Sequence, residues 1–140
     1  GGANAFNDPA SAKTKTETLI QQGADVVYHA AGASGSGMFQ AAKEKNVYAI
    51  GVDSNQDSIV PGLILTSMMK YVDIAVFNTV KSALEGKFEA KVQEFGIKEN
   101  GVGTTDFEFT KDKIGEENIK KLEQIKQEIK DGKVTVKPTL

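Results

Sequence analysis

Residues 23–53 read GADVVYHAAGASGSGMFQAAKEKNVYAIGVD, and the fold is decided there. Val26, Val27 and Tyr28 form a continuous apolar, β-prone run, the pattern of a parallel strand buried on both faces. Gly32, Gly35 and Gly37 follow, so the chain can turn tightly and bring its backbone close to something. Met38, Phe39, Ala41 and Ala42 begin a short helix that stops near Asn46. A second buried run, Val47 to Val52, ends in Asp53. Strand, glycine-rich turn, helix and strand make one βαβ unit. Its glycine turn and Asp53 both fall at carboxyl ends of strands, where open α/β sheets bind ligands.

Upstream of this unit, Asp8 is a good N-cap, and Pro9 stands where its missing N–H costs nothing. A helix runs from there to about Gln22, stopped by Gly23. Ala12, Leu19 and Ile20 give it only a narrow apolar stripe, so it lies at the surface, with Lys13, Lys15 and Glu17 in water. The chain starts so close to Asn4-Ala5-Phe6 that no strand fits before them, and further residues are expected upstream. Gly1 and Gly2 are left out of the fold reading.

Downstream, Ser54 to Ser58 is a polar loop, Pro61-Gly62 a turn, and Leu63 to Thr66 a short buried strand. Val72, Ala75, Val76, Thr79, Val80, Ala83 and Leu84 then recur at three and four, which predicts a helix with one broad apolar face, ended by Gly86. Ala90 to Phe95 reads as extended, Asn100-Gly101 as a turn, and Val102 to Phe109 as strand or extended chain. Glu116 to Asp131 is an amphipathic helix carrying Ile119, Leu122, Ile125 and Ile129, capped by Gly132. Val134 and Val136 form a final extended tail that ends at Pro138. The coarse division is a βαβ core over 1–65, a segment with one long helix over 66–89, and a mixed segment with a terminal helix over 90–140.

The 140 residues, 39% hydrophobic and 26% charged, are an ordinary globular composition for one domain. A formal net charge of -2 gives no reason to expect a nucleic-acid partner. Without cysteine there is no thiolate metal site and no thiol nucleophile; with His29 as the sole histidine there is no multi-histidine site, so no metal or cofactor is implied. No apolar run is long enough to cross a membrane.

Gly32-Ala33-Ser34-Gly35-Ser36-Gly37 invites a dinucleotide reading, but its order is GxxGxG where the fingerprint needs GxGxxG. The plain alternative is a tight βα turn with no ligand. In either ligand reading Asp53 suits a sugar diol, since its two oxygens can accept from adjacent hydroxyls. No Gly-Lys-Ser/Thr follows the glycines, so there is no P-loop, though a phosphate at the helix N-terminus stays open. Ser34 or Ser36, His29 and Asp53 could be drawn as a triad, but there is no GxSxG elbow, and a strand histidine is more often structural. Phe6, in a polar setting, reads first as a core aromatic and second as a platform for a planar ligand. Lys70, just past the expected strand, reads on its own as a solvated charge.

Four segments together, NAFNDP (4–9), residues 23–42, YAIGVDSNQ (48–56) and LTSMMKYVDIAV (65–76), resemble the basic membrane protein family of bacterial lipoprotein receptors, similar to purine nucleoside receptors of ABC transporters. The resemblance runs along nearly the whole chain. It implies a type I periplasmic-binding-protein fold, α/β, with two Rossmann-like lobes of parallel sheet closing on a purine nucleoside. An aromatic at the position of Phe6 stacks on the base, and the main chain at Gly32 approaches the ligand. Asp53 holds the ribose hydroxyls, and Lys70 contacts the nucleoside. Family members are about twice as long, so the resemblance covers the C-terminal half: most of lobe two plus the crossover segment. The first lobe, a signal peptide and a lipid-bearing cysteine would lie upstream, and a transporter permease would be the membrane partner of a receptor anchored at the cell surface or periplasm. The apolar face of the helix Val72 to Glu85 is then expected to meet the first lobe or a second copy of the chain. An effector-sensing domain of a transcriptional regulator and a dinucleotide-binding enzyme domain are the competing functions.

Overall fold

The computed structural model describes residues 2 and 4–137. The chain forms two compact units: residues up to Met69 with Thr104–Lys113, and Lys70–Gly103 with the residues from Ile114 onward. It passes from one to the other within β3 and returns within β4.

In the first unit α1 (Pro9–Gln21) leads into β1 (Val26–Tyr28), a 3-10 turn (Gly32–Ser34), α2 (Gly35–Lys45), β2 (Tyr48–Asp53), a second 3-10 turn (Asp57–Ile59) and β3 (Ile64–Lys70). β1 pairs parallel with β2, Val27 opposite Ala49, and β2 pairs parallel with β3, Asp53 opposite Met69. The sheet order is β1-β2-β3-β4, with β4 at Val102–Thr104. Tyr71 N–H bonds to Gly101 C=O and Thr105 N–H to Ser67 C=O, so β4 returns antiparallel to β3.

The core is a cluster of Val27, Met38, Phe39, Ala42, Ala49 and Ile64, with Ile20, Ala24, Val47 and Val60 at its margin. α2 supplies three of these six core residues, and α1 packs against α2. Gly37 is the reason the helices approach so closely: a Cβ there would stand 1.9 Å from the Pro9 carbonyl oxygen. Lys13 and Glu44 add an ion pair at 2.8 Å. The helix therefore begins three residues earlier than the expected Met38, because Gly35 and Gly37 are helical residues that admit neighbours. One further expectation fails. β1 is buried on one face only: Val27 packs in the cluster with Met38 and Phe39 of α2, while Val26 and Tyr28, pointing to the other face, are 40% and 53% exposed.

Helix ends follow the sequence signals. Asp8 accepts from Ser11 N–H at 3.0 Å, with Pro9 in the first turn. α1 and α2 close with the same kind of bond, Ala24 N–H to Leu19 C=O in α1 and Val47 N–H to Ala42 C=O in α2, around left-handed Gly23 and Asn46. Thr105 and Thr110 tie the returning segment to the first unit: Ser67 N–H donates to Thr105 Oγ1 and Thr110 Oγ1 donates to Leu65 C=O. Between them Phe107 is buried at φ 60°, an uncommon conformation for a bulky residue.

The second unit holds α3 (Val72–Leu84) and α5 (Glu116–Lys130), with α4 (Lys111–Ile114) spanning the boundary. Residues 90–95 form no strand, and 97–100 form a turn closed by Gly101 N–H to Gly96 C=O around left-handed Asn100. Lys130 Nζ donates to Asn100 Oδ1 at 2.8 Å. α3 buries none of its residues, and Val76, Val80 and Leu84 are all more than half exposed. Residues 134–137 have no regular structure, and Pro138 lies outside the described residues.

Candidate functional site

β1, β2 and β3 are parallel, so the turn after β1 and the end of β2 share one edge of the first unit's sheet. Phe6 and Gly32 are brought together at that turn. Ser34 N–H donates to Phe6 C=O at 3.2 Å, and a Cβ at left-handed Gly32 would lie 3.3 Å from the same oxygen. Phe6 is 68% exposed and so is not the core aromatic of its first reading.

Ser34 holds this arrangement. Its hydroxyl donates to Ala5 C=O at 2.8 Å and accepts from Asp8 N–H at 2.7 Å, with the residue 1% exposed. One side chain thereby staples the Phe6 segment to the turn after β1. Sequence reasoning weighed Ser34 only as a nucleophile. Ser36 Oγ donates to Ala33 C=O, and among the described residues neither nitrogen of His29 has a hydrogen-bond partner. The drawn Ser-His-Asp arrangement is thus not assembled.

His29 is buried, edge-on to Phe39 with ring centroids 5.3 Å apart. Gly35 makes room for it, since a Cβ there would lie 2.1 Å from the imidazole Cε1. Burial lowers the His29 pKa below its ordinary value, opposed more weakly by the Gln56 side chain and the Asp53 charge. Two of the three turn glycines thus face the protein's own side chains and backbone. A Cβ at Gly32 would meet Phe6 in the same way, so all three glycines face the protein's own atoms, which speaks against a dinucleotide cradle.

Asp53 is the exposed last residue of β2 and has φ 70°. Ser54 N–H donates to Val52 C=O at 2.9 Å, closing a three-residue turn with Asp53 at its centre. A turn of this hand is rare and strained, and strained backbone in a non-glycine residue concentrates at functional sites. Lys70 is exposed and is the last residue of β3, which runs through Met68 and Met69 beyond the expected end at Thr66. It is the first residue of the second unit, whereas Phe6, Gly32 and Asp53 belong to the first. A separate depression of about 280 Å³ is lined by Asn4, Asp8, Ser11, Lys15 and Ser34, and by none of the four expected residues.

Open parallel α/β sheets bind ligands at their carboxyl edge, and this unit carries a tight turn and an acidic strand end there. A sequence profile described as "ABC transporter substrate-binding protein PnrA-like" matches residues 2–139, and the chain belongs to this family. It is 36% identical over 112 residues to an uncharacterized lipoprotein of Pyrococcus abyssi, covering 76% of this chain and 28% of that one. It is 30% identical to the "ABC transporter nucleoside-binding protein BmpA" of Lactococcus lactis subsp. cremoris, covering 96% of this chain and 42% of that one. An ABC transporter solute-binding protein of Aeropyrum pernix K1 superposes with a TM-score of 0.80 at 29% identity, over 96% of this chain and 46% of the other. The chain thus spans less than half the length of these relatives. The family is one of transport receptors and not of enzymes, and relatives are described as lipoproteins. Among the described residues no helix is long and apolar enough to cross a membrane.

Proposed function

We propose that this chain is the second lobe of a two-lobed ABC transporter receptor that binds purine nucleosides. Asp53 accepts from the two ribose hydroxyls, Phe6 stacks on the base, the Gly32 main chain lies against the ligand, and Lys70 contacts the nucleoside from the end of β3. The observation that carries the reading is Asp53: exposed, at a strand's carboxyl end, and held in a left-handed turn. The description of the Lactococcus relative as nucleoside-binding supports the ligand class. The exposed face of α3 is where the first lobe, or a second copy of the chain, would dock, and a permease would receive the ligand from the closed receptor. A lipid anchor on the upstream part would keep the receptor at the cell surface.

Calorimetric titration of the two-lobed receptor tests this. Inosine should bind and NAD should not. Phe6→Leu should weaken inosine by about 1–3 kcal/mol, the worth of stacking one base on an aromatic, and leave free ribose unchanged. Equal losses for inosine and ribose would give Phe6 a packing role, and tight NAD binding would overturn the ligand class.

A further inference from the structure

The motif Tyr48–Gln56 ends in a glutamine to which the ligand reading assigns nothing. In the structure it reaches back into the strand that presents Asp53. Gln56 Oε1 accepts from Val52 N–H at 2.8 Å, while Val52 C=O accepts from Ser54 N–H. Both main-chain groups of the residue before Asp53 are therefore engaged by the loop after it.

Gln56 is itself fixed from below. Its N–H donates to Ser67 Oγ at 3.0 Å, and Ser67 Oγ donates to Asp57 Oδ1 at 2.6 Å. Asp57 N–H in turn donates to Asn55 Oδ1 at 3.0 Å. Ser67 is 0% and Asp57 2% exposed. A carboxylate so deeply buried is costly unless hydrogen bonds reach it, so this pair is a constrained anchor. Gly51 admits it, because a Cβ there would stand 2.4 Å from Ser67 Oγ and 3.0 Å from Gln56 Cβ. Asp53 is thus the exposed apex of a loop pinned on both sides, which explains how a non-glycine residue keeps φ 70°.

We infer that Gln56 is a positioning residue for Asp53. Its amide oxygen, anchored through Ser67 and Asp57, holds the turn that aims the Asp53 carboxylate off the sheet edge, and so sets affinity for a vicinal diol. The inference rests on the reading of Asp53 given above. Without the Gln56 acceptor the turn relaxes to a common backbone region and the carboxylate swings away.

A double-mutant cycle in the two-lobed receptor, read by calorimetry with inosine and free hypoxanthine as probes, separates the two claims. Gln56→Met removes the acceptor, and Gln56→Asn keeps the amide but is one methylene too short to reach. Each should weaken inosine about tenfold, the scale of one hydrogen bond, and leave hypoxanthine unchanged. Gln56→Glu keeps an acceptor oxygen and should stay within about threefold of wild type. In an Asp53→Ala background neither Gln56→Met nor Gln56→Asn should cost anything more, a non-additivity that a generally weakened fold does not produce. Amide exchange at Ser54 should speed up in Gln56→Met and Gln56→Asn alone. If Asp53→Ala itself leaves inosine binding unchanged, the ribose reading falls and this inference with it. If Asp53→Ala weakens binding while both Gln56 variants match wild type, or add their full loss to it, positioning by Gln56 is overturned and the role of Asp53 stands.

Discussion

α2 and α3 carry the same kind of signal and meet opposite fates. α2 buries Met38, Phe39, Ala41 and Ala42, while α3, with Val72, Val76, Phe77, Val80 and Leu84 along it, buries nothing. The difference lies in their neighbours. α2 has Gly35 and Gly37, which let His29 and the start of α1 come within contact distance, and it lies over a strand pair. An apolar period at three and four specifies a helix and a face; it does not say what covers the face.

Paired substitutions sharpen this contrast on the chain itself, read by urea unfolding. Phe39 and Phe77 are the same residue on the two helices, 2% and 66% exposed. Phe39→Ala should cost about 3–5 kcal/mol, as core phenylalanines do. Phe77→Ala should stay within about 0.5 kcal/mol, and a loss near that of Phe39→Ala would mean that α3 has a packed partner in solution.

Gly37→Ala should come next. Alanine favours a helix interior by about 1 kcal/mol, but here its methyl meets the Pro9 carbonyl, and overpacking of this kind costs about 1–3 kcal/mol. Net destabilisation is expected, and a stabilised Gly37→Ala would show that α1 yields easily.

His29 supplies a pH term confined to the first unit. Its folded pKa is lowered by burial, so the unfolded chain binds the extra proton. Stability is then full above the unfolded value, about 6.5 for histidine, and falls as pH drops through it towards the lower folded value. Melting temperatures at pH 7.5 and pH 5.5 should show this fall, and His29→Gln should flatten it. An unchanged slope in that variant would place the titration elsewhere.

The smallest effect on folding belongs to α3. Val80→Glu with Leu84→Glu should leave unfolding within about 0.5 kcal/mol and lower light scattering at high protein concentration, because a contiguous apolar patch drives association. Scattering already at the monomer value in the wild type would show that the face is not adhesive.

The βαβ core was legible because its signals are local and agree with one another: Asp8-Pro9, Gly23, the runs around Val27 and Ile50, and Asn46. What was not legible depended on distant neighbours. Gly35 and Gly37 read as loop because nothing local says that His29 and Pro9 approach them. β3 runs past its expected end at Thr66 because Met68 and Met69 stay in register with Val52 and Asp53 of the neighbouring strand. Phe107 in a left-handed turn left no trace in its sequence. At the candidate site, residue types and strand ends pointed to Asp53, but the turn that shapes it depends on Gln56 and Ser67, contacts across a loop that periodicity cannot report.

The claim that Asp53 reads a ribose diol is tested most directly by the ligand itself. Inosine and 2′,3′-dideoxyinosine share the base and differ in the two hydroxyls. Titrated side by side into the two-lobed receptor, the dideoxy compound should bind more weakly by about 1.5–3 kcal/mol, the worth of hydrogen bonds to a charged group, and Asp53→Ala should erase that gap. Equal affinity of the wild type for the two compounds would contradict the assignment.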